Sequence, residues 1–312
     1  MNILITGGAG FIGSNFCHYY YNYSDNFVIL DALTYAGNKD FLKGLLEKPN
    51  FKFVHGNICD KQLVEGLLEK DKIDVVINFA AESNVDTSVV NPQVFIDSNI
   101  TGVRVLLDAC KKYNVRFHQV STDEVYGELD DGESQFIETM PLKPNNPYSV
   151  TKAAADMLIL SYHKIFGIHA TISRCANNYG VHQNVEKYIP KCINHINNGE
   201  KIEVHGDGSN VRDWINVLDH CQGIAKIVEK GRPGEVYNIG SNNERTNLEL
   251  AKIILATMGA SEDKIAFVKD RQSNDKRYST NYDKITRELG YKPLYTFENS
   301  LKNIVDWYVN KK

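Results

Sequence analysis

The sequence predicts an α/β protein built on a doubly wound parallel sheet with a second, smaller α/β lobe. Three observations predict it. The chain opens with an apolar run, a set of closely spaced glycines and a helical pattern; short apolar runs then alternate with helix-length segments; and that alternation loosens after Asn178. At 312 residues the chain is long for one ordinary domain and short for three.

Taken in order, Asn2 to Thr6 reads as a strand, Phe11 to Tyr20 as a helix and Phe27 to Leu30 as a second strand ending at Asp31. Further strands are readable at Phe51 to His55, Val75 to Phe79, Arg116 to Ser121 and His169 to Arg174, each separated by enough chain for a crossover helix. Beyond Asn178 come loops, a helix near Ile189 to Asn197 and a glycine-rich turn at Gly206 to Ser209. A strand at Val236 to Ile239 is expected to return to the main body, and Asn247 to Met258 and Phe297 to Asn310 read as helices. The expected division is a Rossmann-type dinucleotide-binding domain over 1–178, with a return segment near 214–241, interleaved with a substrate lobe over 179–312.

Composition narrows the function classes. Hydrophobic residues make up 42% and charged residues 24%, the balance of a folded globular protein, and no apolar stretch reaches the length of a membrane helix. A formal net charge of −4 supplies no basic field for nucleic acid, so a small anionic ligand held by a few placed groups fits better. Six scattered cysteines without C-x-x-C spacing predict a reducing cytoplasm and no zinc site, and the residues after Met1 read as a strand rather than a signal peptide.

The segment TGGAGFIG sets Gly7, Gly10 and Gly13 between a strand and a helix. Glycines allow a tight turn and close approach of backbone to a pyrophosphate, which the free N–H groups and positive end of the helix stabilise. Asp31 ends the second strand near the roughly 20-residue interval expected for a ribose-binding carboxylate. A carboxylate accepts from both ribose hydroxyls and repels a 2′-phosphate, which points to NAD rather than NADP.

Tyr148 and Lys152 form Y-x-x-x-K, so on a helix they share a face; a cation beside a phenol is expected to lower the tyrosine pKa toward neutrality and make it a base for a hydroxyl proton. Ser121, Thr122, Asp123 and Glu124 follow the fifth strand, at the carboxyl edge where α/β ligands bind. Two adjacent carboxyls in different surroundings can divide the acid and base work of a dehydration.

Through TGGAGFIG, LDALTYAGN, NFAAES, STDEVYG, PYSVTKA, RCANNYG, EKYIP, GDGSNVRDW and YNIG, the chain resembles the extended short-chain dehydrogenase/reductase family from end to end, and within it the dTDP-glucose 4,6-dehydratases. The resemblance implies that Tyr148, helped by Thr122 and Lys152, takes the C4 hydroxyl proton, that Glu124 removes the C5 proton and that Asp123 protonates the departing C6 hydroxyl. It implies further NAD contacts from Phe11, Ile12, Asn57, Ile58, Ala80 and Ala81. Ser83, Asn84, Asn177, Glu186, Lys187, Arg212, Asn238 and Arg271 are implied to contact the nucleoside-diphosphate sugar, with the arginines facing the diphosphate. A homodimer packed through helices of the cofactor domain is implied as well.

Departures from the family pattern cluster near the substrate. Asn84 and Thr87 replace a His and an Arg; Gln272, Ser273 and Asn274 replace Pro, Gly and His; Val181 replaces Pro; and Asn57 replaces an Asp that faces adenine. A smaller Asn84 leaves open a UDP sugar such as UDP-N-acetylglucosamine, with or without inversion at C5. A 4-epimerase needs Tyr148 and Lys152 but not Asp123 and Glu124, and a non-catalytic dinucleotide sensor needs none of the four.

Overall fold

The structure, a computed structural model, describes residues 1–130, 132–270 and 274–310. Its strands are β1 (Asn2–Thr6), β2 (Asn26–Asp31), β3 (Phe51–His55), β4 (Val75–Asn78), β5 (Arg116–Thr122), β6 (Ala170–Cys175), β7 (Asn177–Tyr179), β8 (Ile202–His205), β9 (Val211–Asn216), β10 (Val236–Ile239), β11 (Glu244–Thr246) and β12 (Ile265–Val268). Among the described residues, seven strands form a sheet in the order β3-β2-β1-β4-β5-β6-β10, with each neighbouring pair parallel. This is the doubly wound, Rossmann-type sheet the sequence predicts.

Strands buried on both faces need apolar residues at successive positions, as in Ile3-Leu4-Ile5 and Val75-Val76-Ile77. Alternate side chains feed two cores. Ile3, Ile5, Ile29 and Ile77 pack with Phe16 of helix Phe11–Tyr20 and Ile224 of helix Val217–Lys230. Leu4, Leu30, Val76 and Phe117 pack on the other face with Val64, Leu106 and Ile159, from helices Lys61–Lys70, Val103–Tyr113 and Pro147–Phe166. The strand order reverses around β1 and β4, and a crevice opens at the carboxyl ends of the strands there.

The second lobe has its own core, in which Ile189, Ile193, Leu250, Ile254, Leu301 and Val305 join helices Tyr188–Asn197, Asn247–Met258 and Phe297–Asn310. Two small sheets, β11-β9-β7 and β12-β8, complete it. The chain returns to the main body through helix Val217–Lys230 and β10. It also returns where 179–312 was expected to form the second lobe: Ile285 and Leu289 of helix Asp283–Leu289, with Tyr291, pack into the main core beside β10. Among the described residues no helix is long and apolar enough to cross a membrane, and no cluster of three metal-ligating side chains is present.

Candidate active site

The glycine turn is dictated by space. Gly7 has φ +71, and a Cβ there would stand 2.5 Å from the backbone N of Ala80; a Cβ on Gly13 would stand 2.3 Å from the Gly7 carbonyl oxygen. Helix Phe11–Tyr20 starts with no side-chain cap, so its first N–H groups are left for a ligand, and Gly7, Gly10, Phe11, Ile12 and Gly13 all line one cavity of about 440 Å³. Asp31 is fixed beside the turn, its Oδ2 accepting from Ala9 N at 2.8 Å and its Oδ1 from Leu33 N at 2.8 Å. A cradle that only glycine fits, next to an oriented carboxylate, suits a dinucleotide. Ala81 lines the cavity and Ala80 backs the turn; Ile58 is buried against Gly102, and Asn57 is exposed, its Oδ1 accepting from Cys59 N.

Across the cavity, β5 ends in Thr122, whose Oγ1 accepts from Glu124 N at 3.2 Å and so turns the chain into the short helical turn Asp123–Tyr126. Helix Pro147–Phe166 begins with an Asn146 cap and Pro147 in its first turn, and Tyr148 and Lys152 lie one turn apart on its buried side. Thr122, Asp123, Glu124, Asn146, Tyr148 and Lys152 all line the cavity. The two carboxyls do have different surroundings. Asp123 is 2% exposed, and burial followed by the Glu124 charge pushes its pKa up to about 8. Glu124 is less covered and is raised by desolvation, against the Asn146 amide, which donates to its Oε2 at 3.4 Å, and the Lys187 and Arg212 charges.

Tyr148 corrects one expectation. Burial and then the Glu124 and Asp123 charges push its pKa well above 10, instead of Lys152 pulling it toward neutrality. The physical reason is desolvation, which outweighs the neighbouring cation: Lys152 Nζ donates to Val120 O at 2.8 Å, and burial lowers its own pKa to about 8, which still leaves it largely protonated at neutral pH.

Of the residues expected at the sugar nucleotide, Ser83, Asn84, Asn177, Glu186, Lys187 and Arg212 are brought to the same cavity. Asn84 Nδ2 donates to Glu186 Oε2 at 2.7 Å and Lys187 Nζ to Ser83 O at 3.0 Å, which ties the loop after β4 to the second lobe. Asn84 Oδ1 accepts from Thr87 N at 2.8 Å, so both ends of the shorter side chain are occupied. The Arg212 guanidinium lies 4.3 Å from the Tyr278 ring centre. Asn238 is a correction: it is fully buried and off the cavity wall, its Oδ1 taken by Tyr126 OH at 2.8 Å and its Nδ2 by Phe136 O at 3.0 Å. Arg271 lies outside the described residues. The sequence reading missed Tyr35, Asn146 and Tyr278 on the wall. Asn-Pro directly before Tyr148 was a readable helix-cap signal, and Tyr35 stands inside LDALTYAGN, one of the stretches that carry the resemblance; Tyr278 follows closely on the departures at Gln272 to Asn274.

A family model described as GDP-mannose 4,6 dehydratase matches residues 4–304. The chain is 49% identical over 311 residues to the low-salt glycan biosynthesis protein Agl12 of Haloferax volcanii, covering 99% of each. It is 45% identical to a dTDP-glucose 4,6-dehydratase of Actinoplanes sp., covering 99% of this chain and 98% of that one. Among solved structures, the DesIV dTDP-glucose 4,6-dehydratase of Streptomyces venezuelae with NAD bound superposes with a TM-score of 0.96 at 42% identity, covering 100% and 98% of the two chains. A UDP-glucose 4-epimerase of Thermotoga maritima superposes almost as well, with a TM-score of 0.92 at 29% identity over 99% and 98%, so backbone shape alone does not separate the two chemistries. With its glycine turn, Tyr148, Lys152 and a paired carboxyl at one cavity, the chain belongs to the GDP-mannose 4,6 dehydratase family, on the dTDP-glucose 4,6-dehydratase-like side of the extended short-chain dehydrogenases/reductases.

Proposed function

We propose that the chain is an NAD-dependent hydro-lyase that converts a nucleoside-diphosphate hexose, with dTDP-glucose as its substrate, into the 4-keto-6-deoxy sugar nucleotide. The observation that carries this reading is the pair Asp123 and Glu124, both on the cavity wall with Tyr148, the first almost fully buried and held neutral and the second less covered. An epimerase has no use for such a pair, because no proton leaves C5. Relatives of 42–45% identity named dTDP-glucose 4,6-dehydratase support the choice of base and sugar.

In this reading Tyr148 takes the C4 hydroxyl proton, with Thr122 and Lys152 orienting the exchange. NAD, held by the glycine turn and Asp31, would supply the acceptor for the C4 hydride and its return at C6. The C4 ketone acidifies C5–H, Glu124 removes that proton, and Asp123 protonates the C6 hydroxyl as it leaves as water. Lys187 and Arg212 meet the diphosphate. The same reading has the enzyme working as a cytoplasmic homodimer.

The test is incubation with dTDP-glucose, UDP-glucose and UDP-N-acetylglucosamine separately in deuterated water, with products identified by mass and NMR. The expected product comes from dTDP-glucose, has lost the mass of one water and carries solvent deuterium at C5. Conversion of UDP-N-acetylglucosamine alone would move the substrate to that class, and a product of unchanged mass would make the enzyme an epimerase. In Glu124→Gln, oxidation at C4 persists without a base for C5, so reduced cofactor should build up and dehydrated product should fall by about 10² or more. Native-rate dehydration by that variant removes Glu124 from the mechanism.

A further inference from the structure

Asp123 receives a hydrogen bond from a residue that no nearby motif announces. Thr280, fully buried, donates from Oγ1 to Asp123 Oδ2 at 3.0 Å across 157 residues of chain. Backbone bonds hold it there: Phe136 N donates to Ser279 O at 2.8 Å and Asn281 N to Phe136 O at 3.0 Å, so Thr280 sits opposite Phe136 in a short parallel bridge. Behind it Gly240 packs so closely that a Cβ would stand 2.5 Å from the Thr280 carbonyl oxygen. The hydroxyl is therefore delivered to Asp123 by rigid surroundings.

A carboxyl has two oxygens, and a general acid needs its proton on the one that faces the substrate. A threonine hydroxyl has one hydrogen to give. While Thr280 gives it to Oδ2, that oxygen is an acceptor and the carboxyl proton resides on Oδ1. The Thr122 hydroxyl donates to Oδ1 at a longer 3.4 Å; with the carboxyl proton on Oδ1 that hydroxyl rotates to accept it, and Thr122 lines the cavity. We propose that Thr280 is a positioning residue for the elimination, directing the acid proton of Asp123 to Oδ1 and easing formation of the carboxylate left behind.

This rests on Asp123 being the acid, as proposed above. In the step, the Asp123 Oδ1–H bond breaks and the C6 hydroxyl takes the proton; the C6–O electrons leave with water. The C5–H electrons become the C5=C6 bond as Glu124 takes the C5 proton. The groups facing Asp123 are Glu124 on its own turn, Tyr148 on helix Pro147–Phe166, Cys175 on β6, and Arg212 and Asp213 on β9. Glu124 and Asp213 disfavour the carboxylate, whereas the Thr280 hydroxyl and Arg212 favour it.

Two variants separate the hydroxyl from its packing. Thr280→Val keeps the shape and removes the donor; Thr280→Ser keeps the donor and removes a methyl. With dTDP-glucose as the probe, Thr280→Val should reduce its cofactor at the native rate but release dehydrated product roughly threefold to tenfold more slowly, so that reduced cofactor accumulates. The alkaline limb of its elimination rate should move to higher pH, because the carboxylate has lost a donor. Thr280→Ser should keep the native profile. Identical alkaline limbs in the native and Thr280→Val enzymes, or a Thr280→Ser enzyme as impaired as Thr280→Val, overturns the proposal. A native enzyme that dehydrates no sugar nucleotide overturns the acid assignment itself, and this proposal with it.

Discussion

At Asp123 the burial that keeps a proton on the carboxyl also sets the enzyme's chemistry against its stability. The folded pKa, about 8, lies above the ordinary 3.8, so between those values the folded state binds the extra proton and the unfolded state does not. The contribution to stability is fully present below about pH 3.8 and is lost as pH rises toward 8, at about 1.4 kcal/mol per pH unit. Asp123→Asn removes that loss, and its amide oxygen can still accept from Thr280. The variant should melt at a higher temperature than the native protein at pH 8, with the gap closing at pH 4, while forming reduced cofactor but no dehydrated product. Equal melting temperatures across that range would mean that Asp123 ionises freely in the fold.

The glycine turn makes the corresponding argument at the level of an element. Gly13→Ala pushes a methyl group into the Gly7 carbonyl, and helix Phe11–Tyr20 must lift off the turn. Gly66, inside helix Lys61–Lys70, has nothing within 4 Å of its missing Cβ, so Gly66→Ala should be neutral or stabilise by about 0.5–1 kcal/mol. In equilibrium titration, Gly13→Ala should bind NAD at least about tenfold more weakly, a loss of about 1.4 kcal/mol, while Gly66→Ala binds normally. Native affinity in Gly13→Ala would place the dinucleotide elsewhere. The same contrast explains what was legible in the sequence. TGGAGFIG announced its turn because strand, glycines and helix are adjacent, and helix Phe297–Asn310 showed its apolar period over 14 residues. Strands β7, β9 and β11 were not readable, because three to six residues without alternation become strands only through distant partners. Asn238 was misplaced for a related reason: its motif marks the strand correctly, but its amide is spent on Tyr126 and Phe136, which only the folded chain brings near.

On the scale of the whole molecule, helix Pro147–Phe166 carries Tyr148 and Lys152 on its buried side and presents Val150, 47% exposed, and Met157, 58% exposed, one face away. Val89 and Val90 are exposed on the neighbouring helix Val85–Val90. A second copy covering this face would remove apolar surface from water and brace the catalytic helix from behind. Sedimentation should therefore show a species of twice 35.3 kDa, and Met157→Glu should shift it toward the monomer; a native monomer at working concentration rules the dimer out. The sheet's connectivity has a further consequence during synthesis. Strand β10 pairs with β6 but is made only after β7, β8 and β9. Until Ile239 leaves the ribosome, the nascent chain carries a complete glycine turn and catalytic helix beside a sheet whose β6 edge is unpaired. Pairing with β10 moves that edge outward without closing it, since β10 is terminal in the sheet, and helix Asp283–Leu289, which packs beside β10, is made later still. The shielding of this side therefore comes late in translation, well after the chemistry has been written.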